Sequence, residues 1–168
     1  QLDIDVETVK GILQQYHERV PFVRRLQDAV KTHLEDDRSR GELRSLLGRK
    51  CRFPLWEPNM FVVSRALPRE EALTEYGENI RRAYVWRSLN RLIQSSAADM
   101  TKQCMVKIFQ ELGELPLIQI HDELAFSVPD LARAKEICSV MQTAVPLEVP
   151  TPAEISLGNN WGQLDKIL

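Results

Sequence analysis

No stretch of this 168-residue chain has the length and apolarity to cross a membrane. A spanning helix needs about 20 consecutive apolar residues, and the longest apolar runs here are of strand length. The opening residues do not read as a secretory leader, which joins a basic start to an apolar core and small residues. Cysteine is scarce. Cys51, Cys104 and Cys138 are odd in number and far apart, which argues against a disulfide framework or a zinc site and fits reduced core thiols in a cytosolic protein. Internal repeats and low-complexity stretches are missing too. A cytoplasmic protein with no membrane partner is the expectation.

Positive charge is also lacking in sum. Lys and Arg number 22 against 24 Asp and Glu, a net charge of −2, whereas a chain that clamps a polyanion ordinarily shows a basic balance or at least a basic face. The distribution permits a face. Arg49, Lys50 and Arg52 cluster in one segment and Arg81, Arg82, Arg87 and Arg91 in another, while acids concentrate around 35–37 and 70–78. A basic face on a near-neutral chain and an ordinary mixed-charge surface both fit this pattern.

What is present is a foldable core: 43% of the residues are hydrophobic, and the length suits one domain. Val6, Val9, Ile12, Leu13 and Tyr16 recur at helical spacing, with Asp5 placed to cap the start. Asp3 and Asp5 alternate with apolar neighbours like a metal-bearing strand, but they are read as the turn that opens this helix. Beyond Pro21 a second helix keeps Phe22, Leu26, Val30 and Leu34 on one face until the polar run 36–41, with His33 as a packed or rim histidine. Leu43 to Phe53, centred on Gly48, reads as a hairpin. Segment 54–78 holds Pro58 and Pro68 and little periodicity, so it is expected as a loop or flexible insertion that Trp56 and Phe61 pin to the body. A helix is expected from Asn79 to about Asn90, then a turn through Gln94. Ser96 and Asp99 would cap a further helix carrying Met100, Cys104, Ile108 and Leu112 on its face. A helix over 131–144 and a strand over 153–157 complete the reading. Helices laid against a small antiparallel sheet give an α+β class.

The most informative stretch is Leu117 to Val128. Two apolar runs of strand length, 117–120 and 124–128, are interrupted only by His121, Asp122 and Glu123, so a β-hairpin with an acidic tip is expected. Tight hairpins favour Asn-Gly or Asp-Gly, which supply positive φ angles cheaply. A donor and two carboxylates there suit a divalent metal and a phosphate chain instead. A solvated turn of chance acidity remains the alternative on these residues alone.

The chain upstream carries more. Asn90-Arg91-Leu92-Ile93-Gln94-Ser95-Ser96-Ala97-Ala98-Asp99, a helix, and then His121-Asp122-Glu123, with Gln94 and His121 27 residues apart, resemble the C-terminal palm of family A (DNA polymerase I-type) DNA polymerases. The pattern there is Asn, three residues, Gln, a small pair and Ala-Ala-Asp, followed by motif C, an apolar strand ending in His-Asp-Glu. LGRKCRFP from Leu47 is similar to the Gly-Arg-Arg hairpin of that family, and QQYHERVPFV from Gln14 to the region after its fingers helix. ISLGNNWGQL from Ile155 resembles the closing strand and Asn-Trp tail.

That resemblance implies a palm over 47–168, with an inserted loop at about 54–78 and a motif C hairpin, preceded by rear-fingers helices over 1–46. It implies extension of a primer 3′ hydroxyl by a deoxynucleoside triphosphate (dNTP) on primer-template DNA, with Mg2+ as cofactor. Asp122 would be the metal ligand, Glu123 a supporting acid, and His121 a donor beside the primer terminus. Asn90 and Gln94 would touch the minor-groove edge, while Arg49, Lys50 and Arg52 would bind duplex phosphates. Many members place an Arg four residues before the Asn. Here that position is Trp86, and the nearest basic residue is Arg87, which puts that contact in doubt.

Two-metal phosphoryl transfer needs carboxylates from at least two places, and the family's partner aspartate and nucleotide-gripping helix have no counterpart in this sequence. The chain, which opens on Gln1, is therefore expected to be a split-gene subunit or an N-terminally incomplete fragment. It would act only with an N-terminal polymerase half, in a bacterial or viral replication setting and in association with the nucleoid. The alternatives are a non-catalytic palm remnant that clamps duplex DNA and, more weakly, a small metal-dependent hydrolase built on the His-Asp-Glu turn.

Overall fold

In the computed structural model, residues 5–59 and 65–167 are described. Helix α1, Val6–Arg19, starts where the Asp5 carboxylate accepts the Thr8 amide at 3.0 Å and the Thr8 hydroxyl at 2.6 Å, so an exposed amide of the first turn is satisfied. Asp3, with Leu2 and Ile4, lies outside the described residues. The apolar stripe of α1 has the expected spacing, yet none of its residues is buried. Helix α2, Pro21–Glu35, begins on its proline, a position where the missing amide costs nothing. It buries Val30 and Leu34, and His33 Nε2 lies 3.1 Å from the Glu42 carbonyl, the rim role expected of it. Strands β1, Glu42–Arg44, and β2, Lys50–Arg52, form the expected antiparallel hairpin. Gly48 at φ 87° supplies the left-handed residue of its turn. Leu43, Cys51 and Phe53 close on Val30 and Leu34, with Val85 and Leu92 against them, to make a first core.

Segment 54–78, read as a loop, carries regular structure. Strand β3, Leu55–Pro58, lies between β4, Leu67–Pro68, and β5, Ile80–Arg82, in an antiparallel sheet, and helix α3 spans Arg69–Tyr76. The strands are too short to show alternation, and α3 buries only Ala72, so no periodicity reaches the sequence. Pro68 does not break the helix because it stands at its start. Trp56 does pin the segment: the guanidinium of Arg82 lies 4.6 Å from its ring centre and that of Arg69 5.6 Å. Phe61 lies outside the described residues.

The helix expected from Asn79 is corrected as well. Residues 80–82 are strand β5, where Glu57 opposes Arg81 and binds it at 3.0 Å, and cross-strand pairing overrides helical spacing. A 3-10 turn, Val85–Arg87, leads into helix α4, Ser88–Leu112. The Asn90 to Gln94 segment is thus helical and not a turn. Ser96 and Asp99 do not open a new helix, because both lie inside α4, and Asp99 is buried. A Ser-x-x-Asp pattern marks a helix start only where the preceding residues leave the helix, and Leu92, Ile93 and Gln94 do not.

The chain divides into two compact units, Gln1–Gln94 and Ser95–Leu168. In the second, strands β6, Ile118–Ile120, and β7, Glu123–Ala125, form a hairpin. Helix α5, Leu131–Thr143, is capped by Asp130, which accepts the Arg133 amide at 2.9 Å. Cys104 and Ile108 of α4 meet Ile137 and Val140 of α5, with Leu124 and Phe126 packed on them, to form this unit's core. The last strand begins later than expected, as β8, Ser156–Asn160, and turns at Trp161 and Gly162 into β9, Gln163–Lys166. The fold is α+β, with every described strand pair antiparallel and the strands shared among four small sheets. None of the three cysteines is in a disulfide, and all three are buried. No described helix is long and apolar enough to span a membrane.

Candidate functional site

Within the first unit a cleft of about 980 Å3 opens between the β2–β3 segment and the start of α4. One wall presents Lys50 and Arg52 and the other Arg87, Asn90, Arg91 and Gln94. Asn90 and Gln94 are one helical turn apart and so share a face of α4. Lys50, Arg52, Arg87, Asn90 and Gln94, chosen from separate sequence segments, are thus brought together. Arg49 is not among the lining residues; it sits in the turn of the β1–β2 hairpin, where its amide donates to Ser45 Oγ at 3.0 Å.

The cleft's charge is moderated from beside it. Glu42, opposite Arg52 in the ladder, accepts from Lys50 Nζ at 2.9 Å and Arg52 Nε at 3.2 Å. Lys50 first and then Arg52 hold the Glu42 carboxyl below its ordinary value. Arg91 donates to the Arg52 carbonyl at 3.3 Å and lies 5.3 Å from the centre of the Phe53 ring. Arg81 and Arg82 do not belong to the site. Arg81 pairs with Glu57, and Arg82 donates to the carbonyls of Leu34 at 3.0 Å and Phe53 at 2.9 Å, tying α2 to the residue after β2.

Tyr84, Trp86 and Arg91 also line the cleft; sequence reasoning passed over Tyr84, named Arg91 only as a member of a basic cluster, and named Trp86 only as a departure from the family pattern. A signal for Arg91 was available: positions 87, 90, 91 and 94 follow the i, i+3, i+4, i+7 rhythm of one helical face, occupied by polar and basic residues. For Trp86 the only hint was its mismatch with the family pattern.

In the second unit, Ile120 pairs with Glu123, so the hairpin turn consists of His121 and Asp122 alone and Glu123 is the first residue of β7. His121 takes φ 54°, a left-handed conformation that costs a non-glycine residue roughly 1 kcal/mol or more. Gln119 Nε2 steadies the turn by donating to the His121 carbonyl at 3.1 Å. Leu124, the next residue, packs on the core, so the acidic tip rides on an anchored strand. His121, Asp122 and Glu123 are all exposed. Neither carboxylate is paired in a salt bridge among the described residues. Two carboxylates at a strand end suit a hard, oxygen-seeking cation such as magnesium. They do not make a coordination shell by themselves: no group of three or more His, Cys, Asp or Glu residues gathers among the described residues.

Comparison with known proteins places these features in context. The family model described as DNA polymerase family A matches residues 1–163. A DNA-directed DNA polymerase of Pseudomonas phage M6 is 34% identical over 153 residues, covering 91% of this chain and 19% of that protein. The thermostable DNA polymerase I of Thermus filiformis is 31% identical over 168 residues, covering 96% of this chain and 18% of its own length. The chain therefore spans about a fifth of these relatives. Among solved structures, the POL domain of Pol1 from M. smegmatis, in complex with DNA primer-template and dNTP, superposes with a TM-score of 0.64 at 28% identity, covering 89% of this chain and 24% of that one.

Proposed function

This chain belongs to DNA polymerase family A, and from that premise we propose that it forms the C-terminal part of a DNA-directed DNA polymerase, with rear-fingers helices over 1–46 and palm over 47–168. The observation that carries the reading is the cleft, where Lys50, Arg52 and Arg87 share walls with the two amides of α4. Basic side chains bind phosphates without regard to sequence. Amides can read the minor-groove edge, where every correct pair offers acceptors in similar places. Arg49, in the adjoining turn, would add a further phosphate contact. These are the requirements of an enzyme that holds any primer-template duplex.

The reaction is attack of the primer 3′ hydroxyl on the α-phosphate of a dNTP, releasing pyrophosphate. Asp122 supplies one metal ligand, Glu123 supports it, and His121 donates to the primer end. Magnesium, when bound, stabilises the charge on the attacking and leaving oxygens. The second carboxylate comes from the N-terminal half of the polymerase. The setting is the cytoplasm, in bacterial or viral replication, at the nucleoid.

The test joins this chain to the remainder of a polymerase and replaces Asp122 with Ala. Primer extension should disappear while duplex binding persists, since Asp122 is not one of the residues that line the basic cleft. Undiminished extension would sink the reading. The second reading, a palm remnant that clamps duplex without chemistry, needs only the basic cleft and no carboxylate at the hairpin. It predicts that no joined partner confers extension at all.

A further inference from the structure

The cleft holds a feature that phosphate binding and minor-groove reading leave unused. Trp86 is 70% exposed, far more than an indole holding a fold together would be, and it lies in the cleft wall next to Arg87. The Arg87 guanidinium lies 4.4 Å from the Trp86 ring centre and 5.3 Å from that of Tyr84. Tyr84 itself takes φ 60°, an uncommon conformation for a bulky residue that tends to persist at binding sites. One cation thus bridges two aromatic rings, and the exposure of Trp86 leaves much of its surface to solvent.

We infer that the Tyr84, Trp86 and Arg87 cluster is a stacking site for an unpaired base of a DNA strand. This rests on the nucleic-acid reading of the cleft. A base inside a duplex has both ring faces covered by its neighbours and offers an aromatic side chain only edges and sugars. An unpaired base offers a free face, and stacking on an indole backed by a guanidinium is sequence-tolerant because every base has one. Lys50, Arg52 and Arg91 in the same cleft supply the cations that follow the strand's phosphates.

The experiment measures binding of the full chain to a single-stranded oligonucleotide, a blunt duplex and a duplex with an overhang, across a range of salt. The proteins compared are wild type, Trp86→Ala and Trp86→Phe. Trp86→Ala should weaken the overhang and single-strand complexes about five-fold to one-hundred-fold, leave the blunt duplex within about two-fold, and keep the salt slope, which counts phosphates. Trp86→Phe should recover most of the loss. The exposed position makes a folding defect easy to separate, because such a defect would lower all three affinities together. An equal loss on every probe, or none on any, overturns the stacking site. If wild type binds no probe, the nucleic-acid reading of the cleft fails with it; if wild type binds and Trp86→Ala binds equally well, only the stacking inference fails.

Discussion

Glu42 shows how one side chain couples stability to binding. Its carboxyl is held below the usual glutamate value by Lys50 and Arg52, so its contribution to the fold is present above the unfolded-state value and is lost as pH falls through the lowered folded one. A urea midpoint followed from pH 7 to pH 3 should drop more for wild type than for Glu42→Gln, which has nothing to protonate. Asp36 titrates over a lower window, since Arg38 brings its carboxyl down to about 2; part of its share is lost by pH 3, but equally in both proteins, so it cancels from the comparison. Glu42→Gln has a second expected outcome, since it frees Lys50 and Arg52 from their pairing partner. Duplex affinity at low salt should rise, measured by anisotropy titration, and an unchanged affinity would show that phosphate already displaces the carboxylate. Ile108 sets the scale of a purely apolar change. It is fully buried between α4 and α5, and Ile108→Ala should cost about 2–5 kcal/mol in chemical denaturation.

Legibility followed the local strength of each element. The start of α1, the span of α2, the β1–β2 hairpin and α5 were readable because each joins a strong period to a cap or a turn residue: Asp5, Pro21, Gly48 and Asp130. The 54–87 region was not, because its strands are held by partners distant in sequence and α3 buries a single residue. The interior of α4 was misread for the opposite reason, since Ser96 and Asp99 imitate a cap inside a continuous helix. Motif residues carried His121, Asp122, Asn90 and Gln94, whereas Trp86 and Tyr84 gained significance only once the 3-10 turn placed them in a wall. The β8–β9 hairpin offers a check at this scale. A Cβ on Gly158 would collide with the backbone carbonyl of Gln163, so Gly158→Ala should open the ladder, at a cost of about 1–3 kcal/mol. Faster hydrogen exchange confined to 156–166 would mark it.

At the scale of the molecule, much apolar surface stays uncovered. Val6, Ile12 and Leu13 on α1 are half exposed or more, as are Leu115 and Leu117 ahead of β6, which accords with a chain that spans about a fifth of its relatives. The chain alone should bind a hydrophobic dye and extend no primer; addition of the N-terminal polymerase half should suppress the dye signal and restore extension, read in one titration. Dye binding unchanged by that addition would mean that these faces answer to something else. The cleft is braced from behind. Arg82 latches the end of α2 to Phe53 in the cleft wall, and a Cβ at Gly41 would run into that same guanidinium. Anyone wishing to reshape this cleft would do better to begin at that hidden rivet than among the side chains that line it.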